Sequence, residues 1–547
     1  MSEKKVEKVT DKFVLMATSG KKMDGEVKNL PQIPPINYEF KALPEFDCVV
    51  NKAPEFDEEK AYANFLKEKE ELKAHYRPFF KKYSKSVETP VTRTRLVDFT
   101  YRKEDKLDKK DFSRVLNGEG EFEQVKLPHY VGPEYRWNAF YRKELVFDKI
   151  DESKFYLIEF EAVDYIGEVY LNGRLVGRHT GFFAPFTVDI TDQVKEGVNV
   201  LVVVVKNDII TMGTDVNGHR SFGDKIYAAT SLGYDEPYEG WHHCPAGAGI
   251  IGNVELVVTG RQRVVDIFVR PNIDESKATV YTTVFNYPLD CEKVKLYYRI
   301  EGRNFEELVV DGVEEISNKL AVNTNYFVKE FKLPNFKMWT PKTPYLYEVT
   351  IKVTTLDGEV LDEYQTHFGM RKFHMDENST PKGKFYLNNE RVVLRGANEM
   401  GHLPRCVMEG NDEQLLDDIM IAKVANMNFF RMTQRPVFKK IYDFFDMTGM
   451  MCQTDFPLFS YLKSSALGDA IKQVDEMERL VRNHPCCVVD TFCNETLDKT
   501  CWGHEQYNLG RYELEHFFNA GREIIHILNP DRVIKYNDGD YSPLEDT

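Results

Sequence analysis

Glu495 ends the run Asn483-His484-Pro485-Cys486-Cys487-Val488-Val489-Asp490-Thr491-Phe492-Cys493-Asn494-Glu495. The apolar residues before it read as a buried strand, with Asn494 and Glu495 at its C-terminal end. An ionisable side chain at such a point belongs to the rim of a β/α barrel, where active sites lie. A carboxylic acid there can give a proton to a leaving group and take one from water. Carboxylate chemistry on sugars requires a second carboxyl group, and only about fifty residues follow Glu495. A solvated strand-end carboxylate is the competing, chemically inert reading.

The elements that must hold Glu495 follow from strand–helix alternation after about residue 370. Val392–Gly396, Asn428–Met432, Met450–Asp455, Cys486–Glu495 and Val533–Tyr536 read as strands. Asp412–Ala425, Val437–Met447, Ala466–Arg482 and Tyr507–Leu528 read as helices. Strict alternation means a parallel sheet with right-handed crossovers. Polar residues gather where the strands end: Asn398, Glu399, Thr433, Gln434, Asp455, Asn494, Asn537 and Asp538. In a β/α barrel these positions face the substrate.

The preceding residues are β-rich. From about 92 to 261, short strands include Phe155–Val163 and the almost wholly apolar Val198–Val205. Asn172-Gly173 marks a hairpin turn. This predicts an antiparallel sandwich of jelly-roll type. Residues 262–368, with strands at Lys277–Val284 and Tyr347–Thr355, fit an immunoglobulin-like sandwich. Residues 1–91 form an extension in which Asp57–Tyr83 reads as one or two surface helices. Residues 211–247, rich in Gly, aromatics and His, read as a long functional loop. Within them Trp241-His242-His243-Cys244 has spacing poor for one metal ion.

The formal net charge of −16 argues against a nucleic-acid or anionic-membrane partner. The N-terminal residues are charged and show no apolar signal segment, and no stretch has the length of a membrane span. Nine irregularly spaced cysteines read as reduced thiols, so a cytoplasmic location is expected. Cys486 and Cys487, as strand neighbours, point to opposite faces on this reading and cannot easily share a metal.

Several segments together resemble glycoside hydrolase family 2, the family of β-galactosidases, β-glucuronidases and β-mannosidases. They are Asp164–Gly173 with Gly181-Phe182-Phe183-Ala184-Pro185-Phe186; Trp339-Thr340-Pro341 with Phe368-Gly369-Met370-Arg371; Leu394-Arg395-Gly396-Ala397-Asn398; and Asn483-His484-Pro485 with Asn494-Glu495. The resemblance implies a jelly roll over 92–261, an immunoglobulin-like sandwich over 262–368 and part of a (β/α)8 barrel over 369–547. It implies a retaining glycosidase acting on a β-linked carbohydrate, with no cofactor and no metal. Glu495 then takes the general acid/base role. Asn494 bonds the sugar hydroxyl beside the reacting carbon, and Arg431 orients the nucleophile. Asn398 and His402 contact sugar, with a packing role for His402 equally open. Asp455 either contacts a hydroxyl or belongs to a hydrogen-bonded lattice beneath the site.

Two departures lean away from galactosidase and glucuronidase: Asp490-Thr491-Phe492 stands where the family commonly has Trp, and Arg431-Met432-Thr433-Gln434-Arg435-Pro436 where it has Arg-x-x-His-x-Pro. Five barrel strands can be counted, and the family's nucleophile ends the seventh. The expectation is therefore a chain that stops before its nucleophile. Alternatives are a non-catalytic carbohydrate-binding protein and an interaction module; assembly with identical chains is open.

Overall fold

The computed structural model describes residues 57–104, 109–131, 137–208, 213–214, 220–221, 224–226, 248–287, 293–316, 320–380, 382–459, 462–495 and 509–538. Most of the 211–247 loop, including Trp241–Cys244, lies outside them, as do residues 1–56. Among the described residues, no helix is long and apolar enough to cross a membrane.

Within Thr92–Thr259 the two main antiparallel sheets, of four and six strands, pack face to face, and two short two-stranded pairings add to them among the described residues. The central strand Gly197–Asn207 is buried along most of its length, which explains its near-continuous Val run. At the Asn172-Gly173 turn both residues have positive φ, 50° and 81°. That backbone twist matches the strands it joins, Ile166–Leu171 and Arg174–Thr180.

Gln262–Phe368 form a second sandwich, of three and four antiparallel strands. Strand Lys277–Asn286 alternates buried and half-buried residues without a break. A three-stranded antiparallel sheet then spans Phe373–Val392. The sequence pattern gave no sign of it.

The last unit is a parallel sheet in sequential order: β1 (Gly396–Glu399), β2 (Phe429–Met432), β3 (Met451–Asp455), β4 (Cys487–Asn494) and β5 (Val533–Asp538). Its helices are α1 (His402–Met408), α2 (Asp412–Val424), α3 (Lys439–Thr448), α4 (Leu467–Val481) and α5 (Arg511–His526). The first parallel strand lies later than the Val392–Gly396 expected. Val392 closes the antiparallel sheet, and Val392 and Leu394 pack against the core as partly buried residues. The parallel ladder opens at Gly396, whose missing Cβ would sit 2.0 Å from the Phe429 carbonyl oxygen. Only glycine allows that approach.

The motif residues dock one unit on another. Trp339, fully buried, donates its indole N–H to the Asp446 carbonyl at 2.9 Å. Asn483 accepts from the Val269 N–H at 3.0 Å and donates to the Ile267 carbonyl at 2.7 Å. Arg371 donates to the carbonyls of Pro485 and Cys487 at 3.1 and 2.8 Å. The jelly roll meets α4 through His179 and Glu476 at 3.0 Å. Within Asp57–Tyr83 there is one α-helix, Glu58–Tyr76, followed by a short 3-10 turn, and it is not a free surface element. Lys73 and Tyr76 are buried; Lys73 pairs with Asp417 of α2 at 2.5 Å and Tyr76 donates to the Pro341 carbonyl at 2.7 Å.

Candidate active site at the strand ends

Register brings the site together. Asn398 on β1 lies opposite Arg431 on β2, Arg431 opposite Gln453 on β3, and Asn494 on β4 opposite Asp538 on β5. Gln453 and Asp455 are two apart on β3 and so share a face.

Arg431 is the hub. Its guanidinium donates through Nε to Asp455 Oδ2 at 2.8 Å and through Nη2 to Asn494 Oδ1 at 2.6 Å. Nε also lies 3.2 Å from Asp538 Oδ2. Gln453 donates to Asp455 Oδ1 at 2.8 Å and to Asp538 Oδ2. Lys535 reaches Asp538 Oδ1 from the same strand. The lattice holds its members rigidly, because each long side chain is fixed at more than one atom.

The Arg431 side chain retains 16% exposure, whereas Asp455 is fully enclosed. Burial pushes the Asp455 carboxyl up to about 6; the attraction of Arg431 works against this and the nearby Asp538 charge adds to it.

Glu495 follows Asn494 directly and is exposed. Its φ is 52°, a left-handed conformation uncommon for a residue other than glycine. Its N–H donates to the Asp538 carbonyl at 2.8 Å, and the Asn494 N–H donates to the Leu458 carbonyl at 2.9 Å. Strand pairing therefore sets the backbone of both residues, and the strained φ is of a kind that clusters at functional sites.

Of the residues singled out from sequence, Arg431, Asp455 and Asn494 are bonded to one another and Glu495 is next in chain. Asn398 lies beside Arg431 in register and is exposed. His402 stands apart: it begins α1 and its Nε2 lies 2.7 Å from Asp418 Oδ2 on α2. Glu399, polar at the end of β1, accepts from the Gly401 and Leu403 N–H groups at 2.9 Å each and so holds the start of α1. Gln453 was not singled out from sequence and Asp538 only among the polar strand ends, as part of either a turn or a late rim site, yet both complete the lattice. Their signal was position alone: each is polar near the end of a parallel strand.

Three family models match the chain in series. Residues 132–229 match a glycosyl hydrolase 2 galactose-binding domain-like model, residues 262–371 glycosyl hydrolases family 2, and residues 379–545 the TIM barrel domain of that family. A protein named as a putative beta-glucuronidase from Formosa agariphila is 26% identical over 462 residues, covering 79% of this chain and 50% of that protein. A beta-galactosidase from Thermoanaerobacter pseudethanolicus is 27% identical over 420 residues, covering 74% and 51%. The chain thus spans about half the length of these relatives. Among solved structures, a putative beta-galactosidase from Bacteroides fragilis superposes with a TM-score of 0.64 at 20% identity, covering 82% of this chain and 63% of that one. A Bacteroides uniformis beta-glucuronidase gives 0.63 at 19%, covering 81% and 52%.

Proposed function

The chain belongs to glycoside hydrolase family 2, and we propose that it carries the acid/base half of a retaining β-glycosidase site. The observation that supports this most directly is the bonded set Arg431–Asp455–Asn494 with Glu495 immediately following. Glu495 protonates the glycosidic oxygen as the bond to the anomeric carbon breaks, then removes a proton from the water that completes hydrolysis. Asn494 gives its carbonyl oxygen to Arg431, which leaves its NH2 to donate to a sugar hydroxyl. Asp455 and Asp538 fix Arg431, and Gln453 ties those two carboxylates together. Asn398 borders the same site on β1 and contacts sugar from that side.

Five parallel strands stand among the described residues, and no side chain on them is assigned as nucleophile. The two named relatives are a beta-glucuronidase and a beta-galactosidase, so a β-linked hexoside or hexuronide is the substrate class proposed.

Glu495→Gln is the test, made in the chain and in any longer reading frame that contains it. With an aryl β-glycoside whose leaving group needs protonation, kcat/KM should fall about 10²–10⁴-fold. With a leaving group that departs unprotonated, bond cleavage should be largely spared, and deglycosylation should recover when azide is added. An equal loss on both substrates, with no azide response, would remove Glu495 from the acid/base role. Saccharide binding without turnover in every form, unaffected by Glu495→Gln, would favour a carbohydrate-binding protein instead.

A further inference from the structure

Behind the sheet, away from the rim, three thiols meet. Cys452 on β3, Cys487 at the start of β4 and Cys486 just before it are fully buried. The sulfur of Cys452 lies 3.5 Å from that of Cys487 and 4.0 Å from that of Cys486, and the latter two are 3.7 Å apart. Strand alternation had placed Cys486 and Cys487 on opposite faces. That expectation fails because Cys486 precedes the strand and the β3–β4 ladder is irregular at Cys452/Gln453. Nothing in the proposed glycosidase chemistry uses these residues.

The spacing suits coordination. A zinc–thiolate bond is about 2.3 Å. An ion at that distance from all three sulfurs would lie about 0.8 Å out of their plane, the displacement found at a tetrahedral centre. Oxygens are at hand for a fourth donor: the Tyr442 carbonyl is 3.6 Å from the Cys486 sulfur and the Thr454 hydroxyl 3.9 Å from that of Cys487. Positive charge is near, since Arg371 and Arg532 both donate to the Cys487 carbonyl. The surrounding core is apolar, with Met432, Ile441, Met451 and Val488 in the same cluster. All-sulfur donor sets select thiophilic ions over hard ones.

We propose that Cys452, Cys486 and Cys487 form a structural site for one thiophilic d10 cation, Zn(II) or Cu(I), taken up as the chain folds. The three sulfurs bind as thiolates, and each S–H proton displaced passes to solvent. Because each thiol must give up its proton to bind, affinity rises with pH.

The full-length chain, refolded from denaturant under a thiol-free reductant, supplies the test. With Co(II) as the probe for Zn(II), one equivalent should bind, giving sulfur-to-cobalt charge-transfer absorption and the strong visible bands of a tetrahedral site. One equivalent of Zn(II) should bleach both. Cys452→Ala and Cys487→Ala should abolish the signal, while Cys406→Ala and Cys493→Ala, at buried thiols elsewhere, should not. One equivalent of Cu(I) held against a competing chelator, with no Co(II) bands, would assign the site to Cu(I). The proposal fails if neither ion binds near one per chain, or if binding survives Cys452→Ala. Should the variants not refold, as judged by far-UV circular dichroism, wild-type stoichiometry and a metal-dependent rise in Tm decide it.

Discussion

At the C-terminal ends of the parallel strands one guanidinium serves two carboxylates. At the N-terminal ends one carboxylate, Asp446, bonds two imidazoles, with Asp443 3.8 and 3.9 Å from them. Arg431 holds Asp455 and Asp538 at the rim. Below the sheet, Asp446 at the end of α3 accepts from His484 at 2.5 Å, from His367 at 2.8 Å and from the Cys486 N–H at 3.0 Å. At the rim Lys535 joins Arg431, so two cations face the two carboxylates, and part of the arginine stays in water. The lower cluster is sealed, and it ties three pieces of chain together. His367 comes from the second sandwich, Asp446 from a barrel helix and His484 from the turn before β4. A strand-end cluster open to water can tolerate a change of charge; a sealed joint between domains needs its charges paired.

The joint should give the largest stability effect. Burial alone would raise the Asp446 carboxyl, but the His484 charge and the two imidazole bonds hold it far below its ordinary range. His484 is correspondingly raised despite burial, while burial keeps His367 lowered. Asp446→Ala removes the bonded carboxylate and leaves buried His484 only the more distant Asp443, at 3.9 Å, and should destabilise the chain by about 3–5 kcal/mol. Urea denaturation followed by tryptophan fluorescence would measure it, since Trp339 bonds the Asp446 carbonyl. A loss under about 1 kcal/mol would mean that the joint is not the anchor its geometry suggests.

The same contrast predicts opposite pH behaviour. The folded pKa of Asp446 is depressed, so its stabilisation is present above the ordinary carboxylate range and disappears as pH falls. That of His484 is raised, so its share is present below about 6.5 and is lost as pH rises through the raised value. The joint is therefore strongest between these limits. Asp455 runs the other way. Its folded pKa, about 6, lies above its unfolded value, so its contribution is fully present at low pH and is lost as pH rises through 6. Replacing it with Asn removes that slope. Relative to Asp455→Asn, the wild type should lose about 2–3 kcal/mol of stability between pH 4 and pH 7. Parallel stability curves for the two proteins over that range would show that the rim carboxylate is not held protonated.

Much of this organisation was legible in the residues. Period-2 alternation and Asn172-Gly173 gave the sandwiches, and strand–helix alternation gave the parallel sheet. Arg431, Asp455, Asn494 and Glu495 could be placed because each ends or follows a strand whose apolar run marks it. Three things were hidden, each for a physical reason. Gln453 matters through a side chain that meets Asp538 across strands 85 residues apart in sequence, which local pattern does not encode. The thiol cluster depends on a ladder irregularity, which breaks the alternation that sequence reasoning assumes. The joint uses His367 and Asp446, whose types alone are those of ordinary surface residues. His484 stood within a recognised motif, but the motif names the residue and not its partner.

The smallest effect belongs to His402, the one singled-out residue that the fold carries to neither charged cluster. It opens α1 with its side chain 64% exposed and pairs with Asp418. An exposed polar contact of this kind contributes at most about 1 kcal/mol. His402→Ala should therefore change saccharide affinity and turnover less than about twofold, within the scatter expected of a surface substitution away from such features. Asn398→Ala, on the strand that lies beside Arg431, should weaken saccharide binding by about 1 kcal/mol or more, as loss of one hydrogen bond to a sugar hydroxyl requires. Measured side by side by calorimetry, the two variants separate a residue in register with the rim from one that is only near it in sequence. If His402→Ala has the larger effect, α1 must shift toward the rim when sugar binds, and the boundary between the rim and its surroundings would have to be redrawn to include that helix.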